Sequence, residues 1–416
     1  MDRRLLVLAL GMFALGTDSF VVAGVLPQMA RSFDVPIGTA GQLVSVYAVT
    51  LAVLAPTIAA LAASVQRKRL LLAGLGLFVV ANLGTAIAPT FGVALATRAL
   101  AGVGAAMFSP TAVGAAAMLV PPERRGFALS VVLAGMTLST AVGAPIGAII
   151  GGLGSWYWTM VFVSALAFGS ALGVLALLST MPLPPAVSLR QRLRPIADAP
   201  VALTLLTTLL FMSGVFTVYT YFSVVFARAI AGDAVTLGVL LVGWGAAGTV
   251  SNLTSGRLVD RIGPRKVLIT MLSVVMVDLL FVRWTGATLW SAAPAILIWG
   301  GFGWGQSVPQ QYRLVSIAPG IAPLILGLNN TAVYLGMAVG GVLGAATLEI
   351  FGAAQLGYVA ACLVGGALIA AELASRRIEA TEKHTRSKSL GFDEQQSGRV
   401  HQRAAEKRVV PGFSSK

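Results

Sequence analysis

Apolar residues along this chain run in long blocks, separated by short polar or Pro/Gly-rich stretches. A helix needs about 20 such residues to cross hydrocarbon. Twelve blocks qualify, at residues 5–26, 41–63, 70–88, 91–119, 126–150, 158–178, 201–226, 234–254, 267–285, 289–316, 324–350 and 355–373. The fourth and tenth are long and hold Arg98, Pro110, Pro309 and Arg313. The first block follows Arg3 and Arg4, as a secretion signal would. Its run is longer than the 7–15 residues of a signal core and lacks a small-residue cleavage site, so it reads as a spanning helix.

The pattern also repeats. The basic turn Arg67-Lys68-Arg69 returns at Arg265-Lys266, Pro121 returns at Pro319, and the glycines 143–147 return at 340–344, each offset by about 197 residues. The expected fold is therefore an all-α integral membrane protein, with twelve spans in two pseudo-symmetric six-helix bundles in parallel arrangement. The expected divisions are a first bundle at 1–178, a Pro-rich basic linker at 179–200, a second bundle at 201–374 and a disordered basic tail at 375–416.

Composition narrows the class. Charged residues make up 11% of the chain against 57% hydrophobic, far below the roughly one quarter charged in soluble domains, which excludes a soluble enzyme. The net charge of +14 sits in clusters between spans, with no continuous basic face for nucleic acid. With the N-terminus inside, Arg67, Arg69, Arg124, Arg125, Arg190, Arg192, Arg194, Arg257, Arg261 and Arg265 fall on the cytoplasmic side, against Arg31 and Arg228 opposite. This bias places both termini in the cytoplasm. Arginine outnumbers lysine, and alanine and glycine are abundant, which fits a GC-rich bacterial genome and its inner membrane. A single cysteine, Cys362, and two histidines, His384 and His401 in the tail, leave no metal cluster and no internal disulfide.

Two charges lie deep in the first half. Asp18 is about 20 Å along the first helix, and Arg98 enters from the other side to a similar depth. Neither can face lipid cheaply. They are a structural ion pair, a proton-binding carboxylate modulated by a cation, or a seat for a cationic substrate. Burial and a neighbouring cation act on a carboxylate in opposite directions, the condition under which it can exchange a proton near neutral pH. Tyr47 falls at comparable depth on the second helix. In the second half Tyr219, Tyr221, Gln306, Gln310, Asn330 and Tyr334 are polar groups on membrane helices, either substrate contacts or partners of neighbouring helices. Asp278, with Arg283 five residues on, suggests a structural pairing or a subunit contact. The fifth helix carries Gly143, Pro145 and Gly147, small residues that allow close helix approach and a proline that bends. The loop 256–266, with Gly256, Asp260, Arg261, Gly263, Arg265 and Lys266, reads as an ion-paired clasp between two helix ends.

These residues resemble the major facilitator superfamily, and within it the twelve-span drug:proton antiporters of the sugar-efflux and chloramphenicol-resistance branch. The loop 256–266 is similar to the superfamily's cytoplasmic loop signature. Arg98 through Gly104 resembles the fourth-helix motif, and Gly143-Ala144-Pro145-Ile146-Gly147 the fifth-helix antiporter motif. Gly16-Thr17-Asp18-Ser19-Phe20 with Leu26-Pro27, the stretch 121–126 and Thr220-Tyr221-Phe222 resemble the branch. The resemblance implies proton-coupled export by alternating access, without a cofactor. It implies roles in proton coupling for Arg98, in export for Gly143 and Pro145, and a cavity lined by helices one, four, seven and ten, which would bring Tyr219, Gln306 and Gln310 to the substrate. The first-half loop 62–69 keeps the basic residues of the signature but lacks its Gly and Asp. The partners expected are a small molecule, protons and lipid, with no nucleic acid, for a monomer. Uptake by symport is the alternative within transport. An intramembrane hydrolase would need His or paired acids in the spans, and an ATP-driven pump a phosphate loop, neither of which is present; a membrane sensor is the remote alternative.

Overall fold

The computed structural model describes residues 2–181 and 187–380, and their regular structure is helical throughout. Eleven helices are long and apolar enough to cross a membrane without interruption. In the first half these are α1 (Arg3–Ser32), α2 (Ile37–Leu61), α3 (Arg67–Ala86), α4 (Phe91–Met118), α5 (Arg125–Leu153) and α6 (Trp156–Leu177). In the second half they are α7 (Ala199–Tyr219), α8 (Ala234–Ile262), α9 (Pro264–Thr285), α11 (Pro319–Phe351) and α12 (Ala353–Ala380). The twelfth, α10, is broken into Leu289–Gly305 and Ser307–Ile317. Together they cover the expected tenth span; the interruption is one residue, Gln306, which keeps right-handed helical angles (φ −62°, ψ −19°) and follows a stretch of four glycines from Gly300 to Gly305.

Side chains in the loops set where helices begin. Asp2 accepts from the Arg4 N–H at 2.9 Å, Asp233 from the Thr236 N–H at 2.9 Å, and Thr90 and Thr288 cap α4 and α10 likewise. In α5 the turn before Pro145 widens into a π-helix over Ser139–Gly143. Proline cannot donate to the carbonyl four residues back, and the wider turn absorbs that defect. Ser139 and Thr140 donate to the carbonyls of Met136 and Thr137 at 2.6 and 2.7 Å.

Two boundaries differ from the sequence expectation. The helix α12 continues through Ser375 to Ala380, where Glu372 and Glu379 pair with Arg265 of α9 and Arg376 pairs with Glu372. The expected disorder and the two histidines of the tail fall on 381–416, outside the described residues. The expected loop 256–266 is mostly the last two turns of α8, which ends only at Gly263. That glycine has φ +86° and ψ 152°, a conformation open essentially to glycine alone, and Pro264 starts α9 directly after it. Within the linker, Leu189–Leu193 forms a short helix with a Ser188/Gln191 capping box, and Arg192 donates to the Ala59 carbonyl at 3.2 Å; residues 182–186 lie outside the described set.

The first six and last six spans meet along α2 with α11 and α5 with α8. Their contact is concentrated at the end away from the basic turns. There Gly24 faces Leu241, Gly152 packs on Ala234 and Gly238 on Ile149. Toward the basic end the seam loosens: past Ala52, none of residues 53–61 of α2 is buried.

Candidate functional site

Four helices of the first half, α1 to α4, converge on one ion pair. An Arg98 Nη1–H donates to Asp18 Oδ1 at 2.6 Å, and both side chains are at most 1% exposed. The same guanidinium donates to the Leu43 carbonyl of α2 at 3.3 Å and to Asn82 Oδ1 of α3 at 3.2 Å, and lies 4.7 Å over the ring of Tyr47. Four partners therefore hold one cation in a lipid-embedded bundle, where an unpaired charge is costly. Asp18 Oδ2 has no hydrogen-bond partner among the described residues. Next to it Ser19 donates to the Leu15 carbonyl at 2.9 Å and lies 3.4 Å from the Tyr47 hydroxyl. Tyr334 of α11 sits beside Ser19, so the second half closes the cluster.

Above this pair, aromatic rings fill the seam. Tyr219 lies 4.6 Å from Trp244 between ring centroids, and Phe20 lies within 6.2 Å of Phe216, Tyr219, Trp244 and Trp304. Three hydroxyls of the second half donate to backbone carbonyls of the first: Tyr219 to Phe20 at 3.2 Å, Ser223 to Ala23 at 3.2 Å and Tyr221 to Gly38 at 3.4 Å. Tyr221 also reaches the Gly341 carbonyl, at 2.8 Å. Tyr219 and Tyr221 thus act as latches across the far end. Tyr221→Phe removes one latch and is expected to weaken closure by about 0.5–1.5 kcal/mol. A cysteine placed in this seam should then react severalfold faster with maleimide, and an unchanged rate would dismiss the latch.

Gln310 does not stand free. It donates to the Thr204 carbonyl at 2.5 Å and to Thr208 Oγ1 at 3.0 Å, while Thr208 donates to Asn329 at 2.8 Å, so it ties α10 to α7 and α11. Gln306 is buried at the break of α10, and Asn330 is exposed. Gly143 lies on Thr17, and Gly147 on Val21, both of α1; Pro145 follows the π turn between them.

The clasp at the basic end is built differently from its sequence reading. Asp260 is exposed and makes no ion pair among the described residues. Arg265 instead bonds Glu372 and Glu379 of α12, each at 2.6 Å. As an exposed network it contributes little stability, about 0–1 kcal/mol per pair. Lys266 and Gly256 take no part in it. Asp278 also stands apart from Arg283, since five residues turn about 140° around a helix and point the two side chains to different faces.

Sequence reading overlooked Asn82 and Gly245. Asn82 was legible as a polar residue inside the apolar block of α3. Gly245, whose backbone rests against Thr140 and Ala141 of the π turn, carries no local signal.

The sequence model of the Major Facilitator Superfamily matches residues 8–341. The chain is 29% identical over 376 residues to the uncharacterized MFS-type transporter YtbD of Bacillus subtilis, covering 88% of this chain and 93% of that one. It is 31% identical over 358 residues to a chloramphenicol resistance protein of Streptomyces lividans, covering 84% and 90%. It is 26% identical over 364 residues to a probable sugar efflux transporter of Mannheimia succiniciproducens, covering 86% and 90%. With its helical fold and buried central charges, the chain belongs to the Major Facilitator Superfamily, and it is a multi-pass membrane transporter rather than an enzyme.

Proposed function

We propose that this transporter exports a small drug-like or sugar-like molecule in exchange for protons, by alternating access in a bacterial inner membrane. The observation that carries the reading is the Asp18 carboxylate, with one oxygen held by Arg98 and the other unpartnered beside the seam between the halves. The clustering of arginines at one end supports a cytoplasmic placement of that end and of both termini. The described form is then closed outward and looser inward. The name of the probable sugar efflux transporter supports export, and that of the chloramphenicol resistance protein supports a drug-like cargo.

In this mechanism the substrate enters from the cytoplasmic end while Asp18 is paired with Arg98. Rearrangement breaks the far-end latches and opens the seam outward. The substrate leaves to the outside and a proton reaches Asp18 Oδ2; the charge attraction to Arg98 is lost, and the guanidinium keeps the Leu43 carbonyl, Asn82 and the Tyr47 ring. Return to the cytoplasm-facing form and release of the proton restore the pair. Each chain holds the whole path, so the unit is a monomer.

Everted vesicles test this with chloramphenicol, other antibiotics, sugars and nucleosides. At least one should accumulate when a pH gradient is imposed and escape when a protonophore collapses it. Accumulation that ignores the protonophore would overturn proton coupling.

A further inference from the structure

The helices α2 and α11 run antiparallel along the seam. At the far end Gly38 of α2 lies against Ala345 of α11, and Ser45 lies against Gly341. Eleven residues make about three turns and 16 Å of helix, so a side chain eleven residues further on leaves the helix in nearly the same direction. Counting from the Ser45–Gly341 contact toward the basic end, that position is Pro56 on α2 and Asn330 on α11, the latter in line with Tyr334. The two residues are therefore level, in the part of the seam that is loose. Gly327, three residues from Asn330, has nothing within 4 Å of where a side chain would begin.

Asn330 is exposed, and its side chain makes no hydrogen bond among the described residues. A polar group on a membrane helix is costly against lipid, and this one faces the open cleft between the halves. Once the cleft closes and water leaves, its two N–H donors need an acceptor. The opposite helix holds one. Pro56 has no N–H, so the Ala52 carbonyl, four residues back, lacks its usual backbone donor. Helix carbonyls point toward the C-terminal end, which for α2 is the basic end, so this oxygen is directed toward the level of Asn330. The far end already works this way: Tyr219, Tyr221 and Ser223 donate to carbonyls across the seam.

We propose that Asn330 is the latch of the basic end. When the halves close there and part at the far end, its amide donates to the Ala52 carbonyl that Pro56 leaves free. The inference rests on the alternating access proposed above, and it makes Asn330 a positioning residue of the cycle rather than a substrate contact.

Maleimide labelling of Leu241→Cys in the full chain, in a Cys362→Ser background and with neither substrate nor pH gradient, tests the latch. Leu241 is buried in the far-end seam, so its labelling follows the form that is open there. Asn330→Ala removes one hydrogen bond from that form and should slow labelling about 2–10-fold. Pro56→Ala returns a backbone donor to the Ala52 carbonyl and should slow it as much. The two substitutions together should slow it no further than either alone, because each removes the same bond. Unchanged labelling in Asn330→Ala, even with transport lost, overturns the latch and makes Asn330 a substrate contact. Effects of the two substitutions that simply add also overturn it. Gly245→Val, whose side chain would press on the α5 backbone at the far end, separates the latch from the reading beneath it. Labelling that stays absent even in that variant would deny the outward-open form itself, and the latch with it.

Discussion

Asp18→Asn is expected to reduce gradient-driven efflux to the level of vesicles without the protein, while folded protein remains in the membrane. Asparagine keeps the size of the side chain and an oxygen that accepts from Arg98, but it cannot bind and release a proton. Arg98 retains its bonds to the Leu43 carbonyl and to Asn82 and its place over Tyr47, so the cation is not abandoned. Arg98→Ala is harsher. It leaves a carboxylate in the core with no partner, and breaking a buried pair from one side costs about 3–5 kcal/mol. Removing both charges together should recover much of that loss, since two neutral groups carry no uncompensated charge. The double variant is therefore expected to be more stable to heat in detergent than Arg98→Ala, yet equally inactive. Arg98→Lys separates charge from geometry: the single ammonium cannot reproduce the fork that reaches Asp18, Asn82 and Leu43 together. Export by Asp18→Asn at the wild-type rate, still dependent on the pH gradient, would remove Asp18 from the coupling mechanism.

Gly245→Val should have the second largest effect, without touching a charged group. At this point α8 crosses α5, and the Gly245 backbone lies against the Thr140 carbonyl and the Ala141 Cα. A side chain has no room there, and the obstacle is backbone, which cannot swing aside as a flexible side chain would. Overpacking of this kind costs about 1–3 kcal/mol. Because the penalty falls on the form with a closed far end, it shifts the balance between forms by roughly 5–150-fold. Transport should fall accordingly, since each cycle must pass through the closed form. The shift can be read with Leu241→Cys in a Cys362→Ser background, as Leu241 is buried in the same seam and faces Gly24. Its maleimide labelling should rise sharply in Gly245→Val. Gly76→Val, on a helix face with open space around it, serves as the control and should change neither readout. A Gly245→Val protein that transports normally and keeps Leu241→Cys protected would show that the crossing does not seal the far end.

The lengths of the apolar blocks, the placement of the arginines and the internal repeat were local properties of the chain, and they determined the helical membrane class without any tertiary information. Asp18 and Arg98 were legible for the same reason: a charge inside an apolar block is visible one residue at a time, because lipid makes it costly wherever it points. What only the tertiary structure decided depends on which faces meet. That Arg98 also takes Asn82 and Leu43, and that Tyr221 spans two carbonyls, follows from helices far apart in sequence coming into register. The same holds for Arg265, which reaches α12 rather than Asp260, and for Gly245 at the π turn. Hydropathy sums over a window and is blind to direction around the helix axis, whereas hydrogen bonds and close backbone crossings are set by that direction and by a neighbour the window never contains.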